Sequence, residues 1–105
     1  MDQFTEQARA LVAQMTLEER ASMLRYDAPA IPRLGIPSYN WWNEALHGVA
    51  RAGTATVFPQ AIGMAAAFDR ALIRRMGEVI ATEGRAKYNA QSGRNDRDIY
   101  KVLTF

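Results

Sequence analysis

The segment from Asp27 to Pro37 constrains the fold most strongly, because its prolines keep it from forming a helix. It contains Pro29, Pro32 and Pro37, and each proline disfavours helical backbone at the residue before it. Its remaining residues are mostly apolar, which is unlike a free linker. We therefore predict an extended, tightly routed connection over a surface, with helices confined to the chain on either side.

Two short helices are predicted before this connection. Residues 4–15 place apolar side chains on one helical stripe, at Phe4, Ala8, Leu11, Val12 and Met15. The following sequence Thr16-Leu17-Glu18-Glu19 matches a capping box, in which the first and fourth residues bond to each other's backbone N–H groups. It predicts a second helix from this point to about Leu24.

Four further elements are predicted after the connection. They are a strand at Tyr39–Trp42, a short helix over 59–67 with Pro59 in its first position, a long helix over 70–89 capped by Asp69, and a strand over 99–105 that follows a polar loop over 90–98. The inward stripe of the long helix is predicted to comprise Leu72, Ile73, Met76, Val79, Ile80 and Glu83. Within that stripe we expect Glu83 to pair with a buried arginine.

Strands separated by helices favour an α/β class with a parallel sheet, but two strands are too few for a stable one. The supply of large apolar residues is also small, since Ala accounts for 18 of the 105 residues and Leu, Ile, Val and Phe together for 22. The chain is therefore either a helical, alanine-packed module or a part of something larger.

Composition and charge argue against several classes of protein. No window approaches the roughly 18 apolar residues of a transmembrane helix, and the first residues do not resemble a secretory signal. We therefore expect no membrane association and a cytoplasmic protein, although processing of a signal would leave the same sequence in a secreted or periplasmic one. The net charge of +2, with arginines interleaved among acids, does not favour nucleic-acid binding.

Chemistry-bearing side chains are densest between Trp41 and Gly48, directly after a predicted strand. Functional side chains gather at such strand ends in α/β folds. Indoles pack on the C–H faces of sugars, and the carboxylate of Glu44 can accept hydrogen bonds from paired hydroxyls. This combination favours a carbohydrate subsite; the alternative is that one or both tryptophans are core residues.

Other chemistries are not favoured. Glu44 and His47 have the spacing of a diiron ligand pair, but such sites need that pair twice, and His47 is the single histidine. With a single His and no Cys, we predict no metal site, and we expect no cofactor. A hydrogen bond to backbone is the expected role of His47. Glycoside hydrolysis needs two carboxyl groups across one bond, and no second carboxylate has a sequence context like that of Glu44.

The stretch from Pro32 to Ala50, which includes Asn-Glu-Ala-Leu-His-Gly, closely resembles glycoside hydrolase family 3. It is most similar to the β-xylosidase and β-glucosidase branch. Residues 13–19, 56–63 and 82–89 resemble other segments of the family, so the likeness covers nearly the whole chain.

This resemblance implies that residues 1–105 are the N-terminal portion of a (β/α)₈ TIM-type catalytic domain, helix-rich and incomplete as a domain, with no second domain. It implies retaining, exo-acting hydrolysis of terminal β-linked sugars. Glu44 matches the acidic residue that binds sugar hydroxyls, Trp42 resembles an aromatic wall of that subsite, and His47 is expected to shape the loop. Glu at position 44 favours xylosides.

The family's nucleophile and acid/base lie in later segments, so we expect no catalytic residue in this chain and no activity from it alone. The expected partners are a terminal β-xylose or β-glucose and the remainder of the catalytic polypeptide, with oligomerisation through exposed apolar surface. The alternative is a small helical, non-catalytic module that binds a sugar or a protein.

Overall fold

The computed structural model describes residues 2–105, which form four α-helices, two short strands and two 3-10 turns. The helices and strands are α1 (Gln3–Gln14), α2 (Leu17–Ser22), β1 (Asp27–Ala28), β2 (Tyr39–Asn40), α3 (Ala61–Ala65) and α4 (Arg70–Ser92). The chain divides into two compact units, with the boundary between Tyr39 and Asn40.

The predicted capping box at the start of α2 is present in the first unit. The Thr16 hydroxyl accepts from the Glu19 N–H at 3.2 Å, and the Thr16 N–H donates to the Glu19 carboxylate at 2.9 Å. Arg33 also binds that carboxylate and donates to the Gln14 carbonyl at 2.9 Å. The hydrogen bond from Arg33 lowers the pKa of Glu19. These contacts join the end of α1 and the start of α2 to the proline-rich segment.

The proline-rich segment is a tight connection, as predicted. Ile31 and Ile36 exchange two backbone hydrogen bonds, of 2.9 and 3.2 Å, across the 3-10 turn Pro32–Leu34. Gly35 closes that turn with φ at +67°, a conformation that costs glycine little. The strand before the turn, β1, pairs with the strand after it, β2, in a two-stranded sheet. Ile31 is buried, so the connection contributes to the core of this unit.

Few apolar side chains are buried. Among residues 2–105 the buried hydrophobic side chains are Ala28 and Ile31 in the first unit and Val49 and Val102 in the second. Phe68, by contrast, is 94% exposed. The small supply of large apolar residues thus gives a thin core in each unit. None of the helices formed by residues 2–105 has the length and hydrophobicity to cross a membrane.

The second unit is built on α4, which begins as predicted at an Asp69 cap. Its inward face is narrower than predicted, because Ile73 and Val79 are exposed while Gly84 is buried. The helix continues through Ser92, so the predicted loop over 90–98 begins later than expected. Residues 90–92 contain neither Gly nor Pro, and the helix ends where Gly93 forms its C-cap.

Three strand and helix predictions in this unit are corrected. The predicted strand over 99–105 is a series of turns, because Tyr100 adopts φ of +61°, which breaks an extended strand. The strand predicted at Tyr39–Trp42 ends at Asn40, and the short helix is confined to Ala61–Ala65, with Pro59 outside it. Residues 2–105 accordingly contain no closed barrel and no parallel sheet built from those two predicted strands.

The cap of α4 gives a first testable prediction. The Asp69 carboxylate accepts from the Leu72 N–H at 2.9 Å, and loss of such a cap costs about 1 kcal/mol. Asp69→Ala is therefore expected to accelerate amide exchange at Leu72 by about fivefold. Asp69→Asn retains an accepting oxygen and should leave the exchange rate nearly unchanged. Equal acceleration in both variants would contradict a capping role.

Candidate functional site

The segment Trp41–Asn43 is held by the turns at residues 97–104 rather than by a continuous strand ladder. The Asn40 N–H donates to the Arg97 carbonyl at 2.9 Å, and the Tyr100 N–H donates to the Trp42 carbonyl at 3.0 Å. From the first bond to the second, the residue number increases in both segments, so the two segments run in the same direction. Two side chains add to the contact, because Thr104 donates to the Trp41 carbonyl and Asn43 to the Val102 carbonyl.

Neither tryptophan of this segment is enclosed in a core. Trp41 is 44% exposed and Trp42 is 49% exposed. Together with Asn43, Thr104 and Phe105, they line an open concavity of about 580 Å³. Exposed indole faces beside hydroxyl and amide groups form a surface on which a sugar ring could stack.

Glu44 lies in a second, smaller concavity of about 140 Å³. Its other lining residues are Leu46, His47, Gly48, Ala50, Arg51 and Val57. The Glu44 carboxylate is exposed, and its Oε1 lies 3.9 Å from Nη1 of Arg51. The Arg51 guanidinium also stacks over the Tyr100 ring, 5.1 Å from its centroid. A carboxylate acceptor and a guanidinium donor are thus presented side by side, an arrangement that suits neighbouring hydroxyl groups.

His47 makes the predicted contact with backbone. Its Nδ1 lies 3.1 Å from the Phe58 carbonyl, and the Phe58 N–H donates to the His47 carbonyl at 2.8 Å. Because a carbonyl only accepts, Nδ1 carries the proton in this bond. His47 thereby closes the base of the loop formed by residues 47–58, which we call the 47–58 loop.

The helix α4 binds the 47–58 loop through two oppositely charged residues one turn apart. The Glu83 carboxylate accepts from the Thr56 N–H at 3.1 Å and from the Thr56 hydroxyl at 2.7 Å. The Lys87 ammonium donates to the Val49 carbonyl at 2.6 Å and the Ala52 carbonyl at 3.1 Å. The predicted pairing of Glu83 with a buried arginine is therefore wrong.

The structure brings two of the three predicted site residues together. Glu44 and His47 line the same concavity, whereas Trp42 lines the other one. Arg51 was not predicted as a site residue. It lies in the 3-10 turn Ala50–Ala52, and its position between two small residues is a weak sequence signal.

Comparison with known proteins gives one family. Residues 3–88 match the model described as the glycosyl hydrolase family 3 N terminal domain. A probable exo-1,4-beta-xylosidase of Aspergillus terreus is 49% identical over 94 residues, which cover 79% of this chain and 12% of that protein. The xylan 1,4-beta-xylosidase of Xylanibacter ruminicola is 48% identical over 84 residues, which cover 80% of this chain and 10% of that protein.

A plant protein gives a similar match. The probable beta-D-xylosidase 7 of Arabidopsis thaliana is 48% identical over 95 residues, which cover 81% of this chain and 12% of that protein. The chain thus spans 10–12% of the length of these three relatives. No solved structure matches it. Because the family model covers most of the chain and these relatives are nearly half identical to it, the chain belongs to glycosyl hydrolase family 3.

Proposed function

We propose that this chain supplies part of the sugar-binding subsite of a retaining, exo-acting β-xylosidase. The observation that carries the proposal is the exposed Glu44 carboxylate, which lies beside the Arg51 guanidinium. Glu44 belongs to the family-like sequence Asn43–Gly48. The names of the three relatives above support a xyloside rather than a glucoside as substrate. In the proposed complex, Glu44 accepts hydrogen bonds from hydroxyl groups of the terminal sugar.

The remaining site residues have supporting roles in this proposal. The Trp42 indole offers an apolar face to the sugar ring, and His47 holds the loop that follows Glu44. Retaining hydrolysis also requires a carboxylate nucleophile and a second carboxyl group about 5–5.5 Å away. We assign both groups to another part of a (β/α)₈ catalytic domain, of which this chain forms the first portion.

The proposal is tested in a full-length enzyme that carries this chain. The matching segment of the Xylanibacter ruminicola xylosidase is replaced by this chain, and the unaltered enzyme serves as the reference. We expect the chimera to hydrolyse an aryl β-xyloside faster than an aryl β-glucoside. A folded chimera that does not cleave either substrate would contradict the proposed subsite, and binding of xylose without cleavage would favour a non-catalytic module.

The chain by itself is expected to be inactive. The purified 105-residue chain, incubated with an aryl β-xyloside, should release no aglycone above the background rate. The matched control is the same preparation carrying Glu44→Gln, which reports contaminating activity. Turnover that copurifies with the chain and is lost in the Glu44→Gln preparation would show that the chain contains catalytic groups, and the assignment of those groups elsewhere would then be wrong.

A further inference from the structure

The contact between α4 and the 47–58 loop goes beyond simple packing. The loop is held by a carboxylate that binds an N–H and a hydroxyl, and by an ammonium that binds two carbonyls. Hydrogen bonds with a charged partner are roughly twice as strong as those between neutral groups. Glu83 and Lys87 are four residues apart, so both lie on the same face of α4.

The Lys87 ammonium fixes the 3-10 turn that carries Arg51. The carbonyls of Val49 and Ala52 lie at the start and end of this turn, and one ammonium binds both. The first carbonyl therefore cannot move relative to the second without loss of a charged hydrogen bond. Arg51 lies between them, so the Lys87 contact holds the backbone from which the Arg51 guanidinium reaches Glu44 and the Tyr100 ring.

Gly84 lies against the Phe105 ring, where a side chain would be crowded. A Cβ atom at Gly84 would lie 3.8 Å from Val49 and only 3.0 Å from the Phe105 ring. Gly84 is accordingly buried between Glu83 and Lys87.

We propose that Glu83 and Lys87 are positioning residues for Glu44, through the 47–58 loop and the Arg51 guanidinium. This inference rests on the proposed role of Glu44 in sugar binding. Neither Glu83 nor Lys87 contacts the sugar in this proposal. Their contribution is to hold the loop backbone in the one arrangement that places Arg51 next to the Glu44 carboxylate.

The test is a double-mutant cycle on kcat/KM for an aryl β-xyloside in the full-length chimera. Lys87→Met removes the ammonium and is expected to lower kcat/KM about tenfold. If Lys87 acts through Glu44, adding Lys87→Met to Glu44→Gln should lower kcat/KM little further. A purely structural role would give the same tenfold loss in both backgrounds. The midpoint of thermal unfolding is measured for each variant, and Arg75→Met, an exposed substitution on α4, is the control.

A milder variant covers the case in which Lys87→Met does not fold. Thr56→Val removes one of the two bonds to Glu83 at an exposed position and enters the same cycle. Additive losses in either cycle, or no loss in a folded Lys87→Met enzyme, would overturn the inference while the role of Glu44 stands. If Glu44→Gln alone has no effect, both the proposed function and this inference are overturned.

Discussion

Replacement of Glu44 by Gln in the full-length chimera is expected to lower kcat/KM for an aryl β-xyloside by roughly 100-fold. Hydrogen bonds to a charged acceptor contribute about 1.5–3 kcal/mol each, and a carboxylate can accept from two sugar hydroxyls. The amide of Gln has nearly the same shape but no charge and only one accepting oxygen. The loss should appear in kcat as well as in KM if these bonds strengthen in the transition state.

The control for this variant is Glu78→Gln. Glu78 is exposed on α4 and pairs with Arg74 at 3.2 Å, so its substitution removes the same charge at a site away from Glu44. Surface pairs of this kind contribute little to stability, and Glu78→Gln should retain the parent kcat/KM. An unchanged kcat/KM in Glu44→Gln, or an equal loss in Glu78→Gln, would remove the support for a sugar-binding carboxylate at position 44.

The capped starts of α2 and α4 were the most predictable part of the fold, whereas the start predicted at Pro59 was wrong. The caps at Thr16 and Asp69 involve partners only three residues away, so the sequence contains both members of each hydrogen bond. Strands were less predictable, because a strand forms only where a partner supplies the ladder. Residues 99–105 have strand-like composition, yet the backbone at Tyr100 is left-handed, and this segment binds Trp41–Asn43 through separate contacts.

The grouping of the candidate site residues was not predictable from their spacing in the sequence. Trp42 is nearer to Glu44 in sequence than His47 is, yet Glu44 and His47 line one concavity and Trp42 lines the other. The Trp42 carbonyl is bound by the Tyr100 N–H, a contact between residues far apart in the sequence. The role of Glu83 was mispredicted for a related reason. Its partner is a backbone N–H of the 47–58 loop, and no sequence pattern identifies which distant backbone group a carboxylate will meet.

Gly48→Ala is expected to be strongly destabilising, because the 47–58 loop has no room for a side chain at this position. Gly48 has φ of +125°, and a Cβ atom there would lie 2.3 Å from the Thr56 carbonyl oxygen. That backbone cannot move aside freely, because Glu83 binds the N–H and hydroxyl of Thr56. Strain of this kind costs about 1–3 kcal/mol before the clash is counted.

The matched control is Gly77→Ala on α4, where an added Cβ meets no atom within 4 Å. Alanine is favoured over glycine inside a helix by about 0.5–1 kcal/mol, so this variant should raise the midpoint of thermal unfolding of the chimera while Gly48→Ala lowers it. The Gly48→Ala enzyme that remains folded should also have a lower kcat/KM, because the displaced loop no longer presents Arg51 to Glu44. An unchanged or raised midpoint in Gly48→Ala would mean that the loop tolerates a side chain at position 48, and this loop conformation would then be wrong.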